Sequence, residues 1–434
     1  MRAARSGLLT GNAPKEKVEA SLPSSIFNMT NMIIGAGVLA LPYAFRAAGV
    51  LPAICICISV WIASSYSFVL LARCAEELQE FSYKDVATRT YGPDAAQFSE
   101  AAILIYTIGN LIGRQIILGD LLPPLVQVLM GIDSIFAQRW VVLSVVTGVI
   151  LIPVSLSPYI DSLKWSSVFG LVCMCYVVLL FVGLFSRGFQ LGMVNPMEAR
   201  AAHSSFLSLM AFPLLVVSFT AHYNTMDMYW ELKSRSIDKM RFVVSISTGI
   251  CLAVYLLVGL TGYFLFMDKT EPNILVNLWV DREHPPHILI STAFAAISLA
   301  VSFSFPLVCH GARNSIKKLF FFHRGGEIYD DGRDTEHTEH VCITLAVVMT
   351  SLIIGLYIPD IGVIFAFMGS TVGVTFVYIL PGLFYLKIVD SRRSRYVDDS
   401  FFGEKFGPTA LIAFGGGIGV MGTIATSLHT AGFI

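Results

Sequence analysis

Apolar residues in this chain come in runs of about twenty, bounded by charges, glycine and proline. That is the length an α-helix needs to cross the roughly 30 Å hydrocarbon core of a bilayer. Eleven such runs are centred on about residues 35, 60, 109, 149, 175, 217, 254, 298, 348, 373 and 418. Loops are expected at about 73–96, 122–138, 187–203, 231–241, 268–286, 311–339 and 387–406, none of them long enough for a domain. An odd number of spans places the two termini on opposite sides.

Composition agrees with the pattern. Of 434 residues, 55% are apolar and 14% charged, against about 45–50% and 25% in a soluble domain, and the mean hydropathy is +0.71. A net charge of −1 gives no electrostatic footing for nucleic acid. The eight cysteines fall almost entirely inside apolar runs, without Cys-x-x-C or Cys/His metal spacing, and read as small core residues. The first twenty residues hold Arg2, Arg5, Lys15 and Lys17 but no apolar stretch fit for a cleaved signal peptide. Residues 1–22 are therefore expected to be a cytosolic tail and 23–430 a single transmembrane domain.

Orientation follows from the basic residues. With the N-terminus inside, 22 of the 29 Lys and Arg fall on the inner side, six on the outer side, and Arg114 lies mid-helix. The outer loops then contain no cysteine, and the sequon Asn28-Met29-Thr30 lies within the first span. These features fit an intracellular membrane, vacuolar or lysosomal, as well as a lightly decorated plasma membrane protein. The polar inner loops around Arg313–Glu339 and Lys387–Lys405 read as stop-transfer charge at the lipid headgroups.

Two spans carry residues that lipid does not favour. The first runs Asn28-Met29-Thr30-Asn31 and on to Gly35-Ala36-Gly37 and Pro42. Small residues alone would make a packing face, but the amides of Asn28 and Asn31 need partners in hydrocarbon. The sixth holds Pro213 and then Ser218-Phe219-Thr220-Ala221-His222-Tyr223-Asn224. If the first ten helices form two groups of five, about 23–186 and 204–386, these spans are equivalent and the second group is inverted relative to the first. Broken helices paired in this way present free amides to an anion and free carbonyls to a cation at mid-membrane. An amino acid carries both charges at a fixed spacing, so the pattern points to a solute carrier with a zwitterion site between spans one and six.

The stretch Phe27 to Ala44, Phe-Asn-x-x-Asn-x-x-x-Gly-x-Gly-x-Leu-x-Leu-Pro-Tyr-Ala, resembles the first-helix signature of the amino acid/auxin permease family, closest to its sodium-coupled neutral amino acid transporter branch. Similar matches are Gly119-Asp120 in span three, His222 and Glu231-Leu232 in span six, Ser302-Phe303-Ser304-Phe305-Pro306 in span eight, and Gly369-Ser370 with Pro381-Gly382 in span ten. The resemblance implies an all-α, LeuT-like fold of five plus five inverted helices with one extra, at about 407–430. It further implies secondary transport of amino acids, small neutral ones foremost, with no cofactor beyond a coupling sodium ion or proton.

Carried to matching positions, the backbone at Gly35, Ala36 and Gly37 would hold the substrate carboxylate, and carbonyls near Ser218, Thr220 and Ala221 its amine. Asn28, Asn31, Ser302 and Ser304 would offer oxygens to sodium between spans one and eight. The serines are equally able to hydrogen-bond carbonyls one turn back. His222 either titrates and couples protons or braces the unwound backbone. Arg114 departs from the branch, which commonly has an aromatic or apolar residue there. A mid-membrane charge marks function by default, and three roles remain open: a ligand for substrate carboxylate, a stand-in for a coupling cation, or a partner of backbone carbonyls.

An enzyme is disfavoured. Gly119-Asp120 lacks the first glycine and the second acidic span of membrane aspartyl proteases, and neither Gly-x-Ser-x-Gly nor His-Glu-x-x-His occurs. A non-transporting amino acid sensor on the same fold is the remaining alternative.

Overall fold

The computed structural model describes residues 19–130, 135–156, 164–202, 206–279, 288–320, 333–393 and 401–432. The basic tail before residue 19 and the charged stretches 321–332 and 394–400 lie outside them. Among the described residues nearly everything regular is helical, and one isolated bridge, Ala20 with Leu232, is the sole extended pairing.

The chain begins with α1 (Leu22–Ile33), a 3₁₀ turn at Ala36–Ala40 and α2 (Leu41–Ala48). Long helices α3 (Val50–Leu78) and α5 (Pro93–Met130) follow, with the short α4 (Tyr83–Tyr91) between them. The fourth span is α6 (Arg139–Val146), a π-helical turn at Thr147–Leu151 and α7 (Ile152–Leu156); α8 (Lys164–Gln190) is the fifth. The sixth divides into α9 (Ala211–Ser218) and α10 (Thr225–Glu231). Then come α11 (Ile237–Phe266), the short α12 (Ile274–Asn277), α13 (Ile288–Phe320) and α14 (Arg333–Tyr357). The tenth span joins α15 (Ile361–Met368) to α16 (Leu380–Arg393) through π-helical turns, and α17 (Phe401–Thr430) is last.

Nine helices among the described residues are long and apolar enough to cross a bilayer, and the bent pair at Leu22–Ile33 and Gly37–Ala48, 50° apart, makes a tenth. An eleventh is not counted by this measure, because the region of the sixth expected span is divided into pieces too short to cross alone. Several expected loops are helical: α4 occupies the first, α5 runs on to Met130 and α13 to Phe320. Hydropathy ends at the hydrocarbon boundary, whereas backbone hydrogen bonding continues through the headgroups.

Local chemistry explains the boundaries. Ser82 and Ser236 cap α4 and α11 by accepting from the amides of Asp85 and Lys239, and the Asp360 carboxylate caps α15 through Gly362 and Val363. Pro42 starts α2 rather than breaking a helix, because the first turn leaves its missing donor unneeded. At the centre, α5 packs along α13, α14 and α15, while α11 supports α1, α2 and α3.

Candidate functional site at the paired helix breaks

Both interruptions read from the sequence are present. α1 ends at Ile33, Ile34 and Gly35 are extended, and the chain resumes as the 3₁₀ turn. α9 ends at Ser218, Phe219–Ala221 leave helical geometry, and α10 begins at Thr225. The two breaks touch. A Cβ on Gly37 would lie 2.8 Å from Ser218 Oγ and 3.2 Å from Ser218 Cα, so only glycine lets the backbones approach this closely.

Tyr255, in the middle of α11, ties the breaks together. Its buried hydroxyl lies 2.9 Å from the carbonyl oxygen of Ile33 and 2.6 Å from that of Ser218. One hydroxyl proton therefore serves two carbonyls that helix interruption has released. Tyr255→Phe is expected to reduce substrate uptake about tenfold with little loss of folded protein, since it strands both carbonyls at a cost of about 1–3 kcal/mol. Uptake rates normalised to protein in the membrane check this. Nothing in the local sequence around Tyr255 distinguishes it from a core tyrosine.

A cavity of about 510 Å³ reaches the first break. Asn28, Asn31 and Gly35 line it from the first span, Arg114 from α5, Tyr223 from the turn before α10 and Ser304 from α13. It continues along α13 past His310 to the exposed Asn314 and Lys318. There the buried Glu100 accepts from Ser315 Oγ at 3.1 Å and from Lys318 Nζ at 3.0 Å. On α4, burial pushes the Lys84 ammonium below its ordinary value, against the pull of Glu100 and with the help of Lys318.

The opposite face is closed. Asp120, near the far end of α5, pairs with Arg139 and accepts from Asn273 Nδ2 at 3.0 Å. Arg46 Nη1 on α2 donates to the Thr270 carbonyl at 2.8 Å. None of these residues lines the cavity. Among the described residues the cavity thus opens toward the side bearing Ala20, α4 and the end of α13, and does not reach the ties around Asp120 on the other.

The structure sorts the residues singled out from the sequence. Asn28, Asn31, Gly35, Arg114 and Ser304 share the cavity. Gly37 and Ser218 form the contact behind it, Thr220 and Ala221 lie in the unwound stretch after α9 outside the cavity lining, and Ala36 opens the 3₁₀ turn. His222 stands away from the cavity: it is buried, stacked on Phe68 with ring centroids 3.7 Å apart, and its Nε2 lies 3.3 Å from the Ser64 carbonyl oxygen. The ring thus ties the turn after α9 to α3 rather than to the unwound backbone of its own span. Ser302 and Ser304 both donate to carbonyls of their own helix, Ser298 and Val301, and of the two only Ser304 faces the cavity. Arg114 donates to Asn110 Oδ1 and, at 3.4 Å, to Ser304 Oγ. Tyr223 was legible only as part of the interrupted stretch, with no signal of its own.

Residues 19–427 match the family model described as transmembrane amino acid transporter protein. The chain belongs to that family. Within it, the chain is 30% identical over 390 residues to vacuolar amino acid transporter 5 of Schizosaccharomyces pombe, covering 88% of this chain and 87% of that one. It is 25% identical over 422 residues to sodium-coupled neutral amino acid symporter 2 of Danio rerio, covering 91% and 80%. Among solved structures, the inward-facing conformation of Mhp1 superposes with a TM-score of 0.60 at 10% identity, covering 97% of this chain and 93% of that one. MhsT in complex with L-phenylalanine gives 0.54 at 13% identity, covering 95% and 100%. The fold is LeuT-like, and this family member is a multi-pass amino acid transporter rather than an enzyme.

Proposed function

We propose that this transporter moves amino acids, small neutral ones foremost, by alternating access coupled to a sodium gradient. The observation that carries the mechanism is the cavity that reaches the paired helix breaks from one face while Asp120, Arg139 and Asn273 seal the other. A zwitterion in the cavity meets Gly35, Asn31, Arg114 and Tyr223. The bundle holding the breaks then reorients against α5, α13 and α14, closing the open side and exposing the same site to the other. The positive-inside asymmetry of Lys and Arg favours a cytosolic N-terminus, so the open side is the cytosolic one.

Sodium would sit between α1 and α13, where Asn28, Asn31 and Ser304 offer hard oxygens to the cavity. The name of the Danio rerio relative supports this coupling. A proton-coupled transporter of a vacuolar or lysosomal membrane is the second reading. It draws support from the S. pombe relative's name and from the Arg114 guanidinium already hydrogen-bonded to Ser304.

Proteoliposome uptake of radiolabelled amino acids, with an inward sodium gradient compared with an inward proton gradient at matched potential, separates the two. The expected result is sodium-driven accumulation, reduced at least tenfold in Ser304→Ala through a raised sodium requirement. Accumulation driven by protons alone would transfer the case to the second reading.

A further inference from the structure

We propose that Arg114 anchors a carboxylate of the transported amino acid and thereby decides which substrates the site accepts. The inference rests on the transport reading above and deepens it. Arg114 is a full positive charge in the middle of the 38-residue α5, on the wall of the central cavity. Its Nη1 donates to Asn110 Oδ1 and its Nε to Ser304 Oγ, and both partners are neutral. Nη2 makes no hydrogen bond among the described residues.

No carboxylate among the described residues pairs with it. Along α5, the Asp120 carboxylate is taken by Arg139 and Asn273, and Glu100 by Ser315 and Lys318. The phenol of Tyr223 shares the cavity with it, and Tyr106 packs beside Tyr223. Amide, hydroxyl and phenol dipoles solvate the guanidinium but leave its charge unneutralised, which at this depth is costly. An anion entering the cavity relieves that cost. The planar guanidinium, with Nη2 still open to a donor contact, suits a carboxylate oxygen better than a point charge would.

The carboxylate comes from one of two sources on an amino acid: the α-carboxylate, common to all, or an acidic side chain. Uptake by the full-length protein in proteoliposomes distinguishes them, using alanine and glutamate as substrates with Arg114→Gln and Arg114→Lys. If the α-carboxylate is bound, Arg114→Gln raises KM about ten- to hundredfold for both substrates, and Arg114→Lys restores part of the loss. If the side-chain carboxylate is bound, the rise falls on glutamate and spares alanine. Unchanged KM for both, or an effect confined to ion dependence, overturns the proposal.

Should Arg114→Gln fail to fold, displacement of bound ligand from detergent-purified wild type and Arg114→Lys, compared side by side, supplies the test. Alaninamide and glutamine, each lacking one carboxylate, are compared with alanine and glutamate. The proposal is overturned if both amides displace as well as their parent acids or if the preference for acid over amide is the same in Arg114→Lys, and supported if a preference of at least tenfold in the wild type falls in Arg114→Lys. A wild type that binds amino acids without flux defeats the transport reading, while the displacement result still judges Arg114.

Discussion

Replacing Gly37 by valine is expected to abolish amino acid uptake. The Cβ alone would stand 2.8 Å from Ser218 Oγ and 3.2 Å from Ser218 Cα. The hydroxyl can rotate, but its Cα belongs to the broken end of α9 and cannot move without parting the two breaks. Overpacking of this kind costs about 1–3 kcal/mol in stability. The functional loss is expected to be larger, above a hundredfold in kcat/KM, because a displacement of about 1 Å at a binding constellation is enough for that. Gly37→Ala should lose less in the same direction. Gly249→Ala serves as the control, since a Cβ there meets nothing within 4 Å and should leave uptake unchanged. Initial rates normalised to monodisperse protein extracted from the membrane decide the matter, and full uptake by Gly37→Val would show that the breaks need not touch.

The second large effect concerns the sealed face. Asp120 is mostly buried, whereas Arg139 is 28% exposed. Asp120→Asn removes the charge that neutralises Arg139 and weakens the acceptor for Asn273 at the start of α12. Breaking a fully buried pair costs 3–5 kcal/mol and an exposed one less than about 1. About 2 kcal/mol for this intermediate case shifts a two-state equilibrium roughly thirtyfold away from the sealed arrangement. Labelling of a cysteine introduced at Leu39, which lines the cavity, by an impermeant maleimide applied from the α12 side should rise accordingly. The exposed Cys55, Cys175 and Cys342 need replacement beforehand. Labelling unchanged from that of the Asp120 parent would mean that the triad does not hold this face shut.

Much of this was legible along the chain because lipid punishes polar residues and glycine so severely that they stand out. Asn28, Asn31, Gly35 and Gly37 announced the first break, and Ser218 to Asn224 the second. The same logic found Arg114. What stayed hidden depends on partners distant in sequence. Tyr255 is one of several tyrosines in apolar surroundings until folding brings Ile33 and Ser218 to its hydroxyl. Gly119-Asp120 was visible as a motif, but its purpose required Arg139 and Asn273. His222 drew attention as a titratable group in a broken span, although its depth behind Phe68 and Ser64 is a matter of packing. Span edges were misplaced because helices such as α4 continue where hydropathy falls.

Counterflow tests alternating access most directly, because it needs no choice of coupling ion. Proteoliposomes containing the wild-type protein are loaded with millimolar unlabelled alanine and diluted into trace radiolabelled alanine without any ion gradient. The expected result is transient accumulation of label above its external concentration, abolished by Gly37→Val and absent from protein-free vesicles. Label that binds the protein saturably but never accumulates would contradict a site exposed in turn to each side, and would point to a sensor on a transporter fold.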